Sequence, residues 1–229
     1  MSPVGLRRVE VALVADAQVP EALSSAPRHR LLDVGGSVSA GPGAAVALVA
    51  SPTALHVLFE VASEPPLRVA AVDGGPVWED DCVELFVGRP EAPFSYREIV
   101  VNPAGSRYGA EVINPDESRA TWTLAAGRLP EGLSVAVTGE PGSFPPSEWR
   151  RWSCRMTLPW RSLSGPGTPP RPGEERRLNG FRIARGSGGS STRHLALSPT
   201  LRAEPPDFHV PSRFARAVFL PSSSPSPAC

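Results

Sequence analysis

The sequence predicts an all-β fold, a single antiparallel β-sandwich of about ten strands, jelly-roll-like and with little helix. Three observations predict it. Apolar residues recur at every second position in short runs, the period that puts them on one face of a strand. Turn signals interrupt those runs at short intervals, supplied by 28 prolines and 21 glycines among 229 residues. No stretch carries the longer period of an extended amphipathic helix.

The elements follow in order. Val9, Val11 and Leu13 alternate, then come Ala44–Ala50 and the alternating set Leu55, Val57, Phe59 and Val61. Leu67–Val72 is the next strand-like run, ended by Asp73-Gly74-Gly75-Pro76. Cys82–Val87 is apolar on both faces apart from Glu84, the pattern of a central strand covered on both sides. Tyr96–Asn102 follows and stops at Asn102-Pro103-Ala104-Gly105, with a further turn at Asn114-Pro115-Asp116. Thr121–Ala125 and Leu133–Thr138 precede Pro141-Gly142. Trp152, Cys154, Met156 and Leu158 then alternate with Ser153, Arg155 and Thr157, and Leu178–Ala184 and Ala215–Leu220 complete the set. Helix is confined to a turn after Pro159 and another near Pro211–Phe214. Gly165–Gly173 reads as a proline-rich loop, Gly186–Thr192 as a flexible loop without a phosphate-binding pattern, and 221–229 as a disordered Pro/Ser-rich tail. Neither a repeat nor a composition break divides the rest, so one domain spans 1–220.

Composition excludes several function classes. Twenty-three acidic and 23 basic residues leave no net charge and no basic stripe to displace counterions from phosphate, so no nucleic-acid partner is expected. No apolar run reaches the roughly 20 residues of a membrane span. All 23 basic residues are arginine, which reads as GC-rich, bacterial-like codon usage. Cys82, Cys154 and Cys229 are odd in number and lack metal-ligand spacing, as do the four histidines, His29, His56, His194 and His209. Cys82 and Cys154 are expected as reduced core thiols. Glu10 and Asp16 interrupt the apolar stretch after Arg7-Arg8, so no signal peptide is seen and a soluble, cytoplasmic protein is the default expectation. An extracellular location would need an upstream leader or an unusual export route.

Glu84 needs an explanation, because a carboxylate taken out of water costs several kcal/mol unless paired. An internal ion pair with Arg97, Arg107 or Arg182 would supply one. A face open to a polyhydroxyl ligand would supply another. On the next strand Tyr96, Glu98, Val100 and Asn102 share a face, adding a second carboxylate and an amide that can donate and accept at once. Asn102 also precedes proline, which by itself starts a turn. Trp78 stands in a polar, turn-rich approach, either packing against the core or offering a flat apolar surface to a pyranose ring.

Trp78-Glu79-Asp80-Asp81-Cys82-Val83-Glu84-Leu85-Phe86-Val87, followed by Tyr96-Arg97-Glu98 and Asn102-Pro103-Ala104-Gly105, resembles carbohydrate-binding module family nine-like domains. The resemblance continues at Thr157-Leu158-Pro159-Trp160, Pro172-Gly173, Leu178–Ile183, Leu197-Ser198-Pro199 and Phe208–Phe214, in the family's order and over roughly residues 50–220. It implies a β-sandwich that binds carbohydrate, typically a glycan end, often with structural calcium. Trp78, six residues before Glu84, matches the stacking tryptophan, Glu84 the hydroxyl acceptor and Asn102 the supporting polar contact. Two positions depart: Leu197 stands where members carry a second tryptophan, and Val100 where members can carry an arginine.

The expected function is therefore non-catalytic binding of a glycan end or oligosaccharide, with an accessory role in carbohydrate breakdown. Trp78, Glu84, Asn102 and Glu98 would contact ligand, and Arg97 and Arg182 would fix the carboxylate. The alternative is a protein-interaction or scaffold module whose sugar site has degenerated, favoured by Leu197. Glycoside hydrolysis by two of Asp80, Asp81, Glu84 and Glu98 is the least favoured reading, because nothing else marks a cleft. Asp80, Asp81 and the Asn114–Glu117 loop offer oxygens for calcium. No nucleotide is expected, nor haem, since Met156, the methionine available to ligate one, lies on an apolar strand face.

Overall fold

The computed structural model describes residues 6–39, 41–140, 145–163, 167–185, 192–200 and 206–222. Among them the chain is mostly strand. The first seven strands are β1 (Arg8–Leu13), β2 (His29–Arg30), β3 (Leu32–Asp33), β4 (Ala44–Ala50), β5 (Ala54–Ala62), β6 (Cys82–Arg89) and β7 (Ala92–Val101). The other seven are β8 (Arg107–Ile113), β9 (Thr123–Ala126), β10 (Ser134–Gly139), β11 (Arg151–Pro159), β12 (Glu175–Ala184), β13 (Arg193–Ala196) and β14 (Ala215–Pro221). One α-helix, α1 (Val19–Ser25), accompanies them.

The all-β class is as the alternation predicts, but the count and continuity differ from a sandwich of about ten strands. The 14 strands form one sheet, with the path β10-β11-β5-β4-β1-β14-β12-β6-β7-β8-β9. The seam is β1, which runs parallel to both β4 and β14, while the other neighbours on the path are antiparallel. Around that seam the sheet doubles over. Val46, Leu48, Val57, Phe59 and Met156 of one half share a core with Val83, Leu85, Ile99 and Leu178 of the other. Gly180 marks how closely the halves approach, since a Cβ there would meet the Phe59 ring at 3.2 Å.

A second core lies on the opposite face of β6, β7, β8 and β12. Cys82, Phe86, Tyr96, Val100, Tyr108 and Phe181 build it, and Phe208 and Phe214 cover it. This makes β6 a strand buried on both faces, as its unbroken apolar run requires.

Leu67–Val72, expected as a strand, forms none. Three of its backbone donors are taken by carboxylates: Asp81 accepts from the Arg68 N–H at 2.8 Å, and Asp80 accepts from Ala70 and Ala71 at 3.1 and 2.8 Å. Alternating apolar residues cannot reveal that their N–H groups have side-chain rather than ladder partners. β8 and β13 were not foreseen. Nor was α1, seven residues long, which has Pro20 at its start and lays Leu23 against Ala47 and Val49 of β4. The expected turns of helix are 3-10 turns at Trp160–Ser162 and Pro211–Arg213. Cys82 and Cys154 are buried free thiols, while Cys229, most of the 221–229 tail and most of Gly186–Thr192 lie outside the described residues.

Candidate functional site

The site is built by the outer face of β6 to β9, β12 and β13. Strand parity selects its floor: Glu84 alternates with Cys82 and Phe86, and Glu98 on β7 stands across from Phe86 in register. The same parity brings Tyr108 of β8 opposite Val100, between Glu98 and Asn102. Above these lie Trp78 in the 3-10 turn Val77–Glu79 and Trp122 at the entry to β9. Together with Arg119, Arg185, His194 and Phe208 they line a cavity of about 340 Å³.

Two indoles flank the opening. Trp78 is 39% exposed and meets Tyr108 edge to face at 4.6 Å. Trp122 is half-buried, stands edge to face against His209 at 4.7 Å, and carries the Arg119 guanidinium 5.4 Å from its ring centre. Arg119 in turn holds Asp207 at 3.2 Å. Arg185 donates to the Trp78 carbonyl and to the Thr192 hydroxyl, which fixes the turn carrying the indole.

The floor holds two carboxylates that are nearly removed from solvent, Glu84 at 3% and Glu98 at 6% exposure. Neither makes an ion pair among the described residues, and Glu84 accepts a weak contact from the Cys82 thiol at 4.0 Å. Burial pushes both up. Glu84 rises well above the usual carboxylate range, driven further by Glu98, and Glu98 rises to about 7. The Cys82 thiol is raised by burial and by Glu84. Burial also keeps His209 neutral, pushed down to about 3, and its Nδ1 lies 2.7 Å from the Tyr96 hydroxyl. A floor of acceptors beneath aromatic walls can take hydroxyl or ammonium donors while a ring face rests on an indole.

Of the residues singled out by sequence, Trp78, Glu84 and Glu98 come together here, and Asn102, Arg97 and Arg182 do not. Asn102 is wholly buried: its amide donates to Asp80 at 2.9 Å, and its oxygen accepts from the Ser106 N–H at 2.9 Å, closing the turn after β7. Arg97 adjoins Glu98 in a strand, so it must point to the other face, where it pairs with Glu111 at 3.2 Å. Arg182 likewise faces away from the cleft and pairs with Asp81 at 2.7 Å, beside Trp152. The internal ion pair considered for Glu84 is therefore absent, since Arg107 also pairs elsewhere, with Asp73 at 3.5 Å.

Leu197 is fully buried in the central core and does not line the cleft. The second indole there is Trp122, which sequence reasoning missed although it sits, like Trp78, in a polar turn-rich approach to a strand. Tyr108 was missed too, although the alternation Tyr108, Ala110, Val112 carried a signal for it. Arg119, Arg185 and His194 carried no local signal.

The residues considered for calcium do not fit it. Asp80 and Asp81 are occupied by backbone and side-chain donors, Asn114 closes a turn onto Ser118 and donates to the His209 carbonyl, and Glu117 accepts from Ser212. Among the described residues no group of three or more potential metal ligands gathers, and no helix is long and apolar enough to cross a membrane. A larger, shallower groove of about 750 Å³ runs over β4, β5, β10 and β11. There Glu60 pairs with Arg28 at 3.0 Å and Thr138 with Ser153 at 2.7 Å, and the one indole in its lining, Trp152, is buried.

No protein-family model and no curated protein matches the chain. Solved structures do. A Bacteroides uniformis protein assigned to carbohydrate binding superposes with a TM-score of 0.67 at 20% identity, covering 94% of this chain and 100% of that one. A carbohydrate-binding module of family 9 from Caldicellulosiruptor kristjanssonii, in complex with cellotriose, gives 0.60 at 16% identity over 97% of this chain and 98% of the other. A family 9 module from the same organism in complex with glucose gives 0.55 at 16% identity, covering 96% and 100%. At such identities the likeness is one of architecture: the chain has the fold of family 9 carbohydrate-binding modules.

Proposed function

We propose that this protein binds carbohydrate without catalysis, in the cleft floored by Glu84 and Glu98 and flanked by Trp78 and Trp122. The doubled-over sheet serves as a β-sandwich scaffold for that cleft. The observation that carries the reading is one cavity holding two indoles and two buried carboxylates that make no ion pair among the described residues. Indole faces suit the C–H side of a pyranose, and carboxylate oxygens accept from its hydroxyls. The likeness of fold to modules solved with glucose and cellotriose supports it.

Trp78 is the stacking platform, Trp122 the second wall and Glu84 the hydroxyl acceptor, with Glu98 beside it. Hydrolysis is not part of this reading. A glycosidase sets its carboxylates on either side of the scissile bond, whereas Glu84 and Glu98 rise from adjacent strands on one floor.

Titration calorimetry with mono- and oligosaccharides tests the proposal. Wild type should bind saturably, and Trp78→Ala and Trp122→Ala, each checked for folding by circular dichroism, should each weaken binding by about tenfold or more. Absence of saturable binding at tens of millimolar sugar, near the weak end of the affinity scale, would remove the carbohydrate reading.

A further inference from the structure

The carboxylates of Glu84 and Glu98 pose a charge problem that neutral hydroxyl groups solve only in part. Both side chains are more than nine-tenths buried and aimed into the cavity. Without a counter-charge burial makes both hold their protons above the usual carboxylate range, whereas an ammonium group would let them ionise, which a neutral hydroxyl cannot do. Arg119 and Arg185 line the same cavity and their charges act on Glu84, Arg119's on Glu98 as well, but neither forms an ion pair with them: Arg119 is held by Asp207, and Arg185 by the Trp78 carbonyl and Thr192. Arg97 and Arg182 lie on the far face, paired with Glu111 and Asp81. The walls add a second independent feature: the Trp122 ring already carries the Arg119 guanidinium, and the exposed Trp78 offers a like π surface to a second cation.

We propose that the ligand is an amino sugar with a free amine, its ammonium group received by Glu84 and Glu98 and its ring lying against the indoles. This rests on the carbohydrate reading of the same cleft and narrows it to one substrate class. Three ammonium hydrogens can serve both carboxylates at once, which neither a hydroxyl nor an acetylated amine can do while also compensating charge. An acidic sugar would set its own negative charge against the two carboxyl groups of the floor.

Calorimetry at neutral pH with D-glucosamine, D-glucose, N-acetyl-D-glucosamine and D-glucuronic acid decides the matter. Glucosamine should bind at least about tenfold tighter than glucose and N-acetylglucosamine, and Glu98→Gln should bring the glucosamine-to-glucose ratio close to one. Equal affinity for glucose and glucosamine would overturn the amino-sugar assignment and leave the carbohydrate reading standing. Preference for glucuronic acid would overturn it too, and would assign the rim arginines Arg119 and Arg185 as the reading groups. A folded Glu98→Gln variant that keeps the wild-type ratio would likewise overturn it. Binding of none of the four would overturn the amino-sugar assignment, and absence of oligosaccharide binding as well would remove the carbohydrate reading. The wild-type comparison stands without any variant, so a misfolded Glu98→Gln does not leave the proposal open.

Discussion

At the scale of single residues, the paired carboxylates dominate. Glu98 binds its proton more tightly in the folded protein, at about 7, than at its ordinary 4.5. Between those values the folded state holds more protons than the unfolded one, so stability falls as pH rises through that window. Glu84 is shifted in the same direction and adds to the effect. His209 acts oppositely: pushed down to about 3, it stays neutral while the unfolded chain protonates, so stability falls as pH drops below its ordinary 6.5. Glu98→Gln removes its own share of the first effect and leaves the second. We expect that variant to gain about 2 kcal/mol on wild type at about pH 8 and little at about pH 4, measured by urea unfolding. A constant difference across that range would mean that Glu98 is solvated rather than buried.

At the scale of elements, side chains replace strand pairing where the chain leaves the ladder. Asp80 and Asp81, at the entry to β6, hold residues 68–71 by their backbone N–H groups. Asp81 also anchors Arg182 of β12 and accepts from the Arg185 N–H at 3.2 Å, so one carboxylate ties three segments at the edge of the cleft. Asp81→Asn leaves the Arg182 charge buried without its partner. It should cost about 3 kcal/mol or more in chemical denaturation. In Arg182→Lys, a cation that cannot reproduce the planar fork should recover only part of the stability. Gly180, also on β12, reports the approach of the two halves of the sheet. Gly180→Val should press on Phe59 and cost about 1–3 kcal/mol by thermal unfolding, and an unchanged melting point would show that the halves can separate there.

At the scale of the whole molecule, the fold depends on a seam between segments far apart in the chain. β14 pairs β1 in parallel over Arg8↔Arg216 to Leu13↔Pro221 and pairs β12 antiparallel, so it joins the halves of the sheet. Its Ala215, Ala217 and Phe219 enter the central core. Ending the chain at Phe214 would strip partners from β1 and β12 and open the core. Such a truncation should lose cooperative unfolding and be cut rapidly by protease. A cooperative transition in the shorter chain would mean that the halves are stable apart.

By itself the sequence determined the all-β class, most strand positions and three cleft residues, Trp78, Glu84 and Glu98. These rest on local rules: a two-residue period assigns faces, and a lone carboxylate in an apolar run demands a reason. Parity also held a lesson available from sequence, that Arg97 cannot share a face with Glu98. Only the tertiary structure decided that Asn102 closes a turn, that Leu197 belongs to the core, and that Trp122, Arg119, Arg185 and His194 join the cleft. Those residues come from different strands and loops. Which of them meet depends on sheet order and on a parallel seam between the chain's two ends, and no periodicity within a segment encodes a contact between segments.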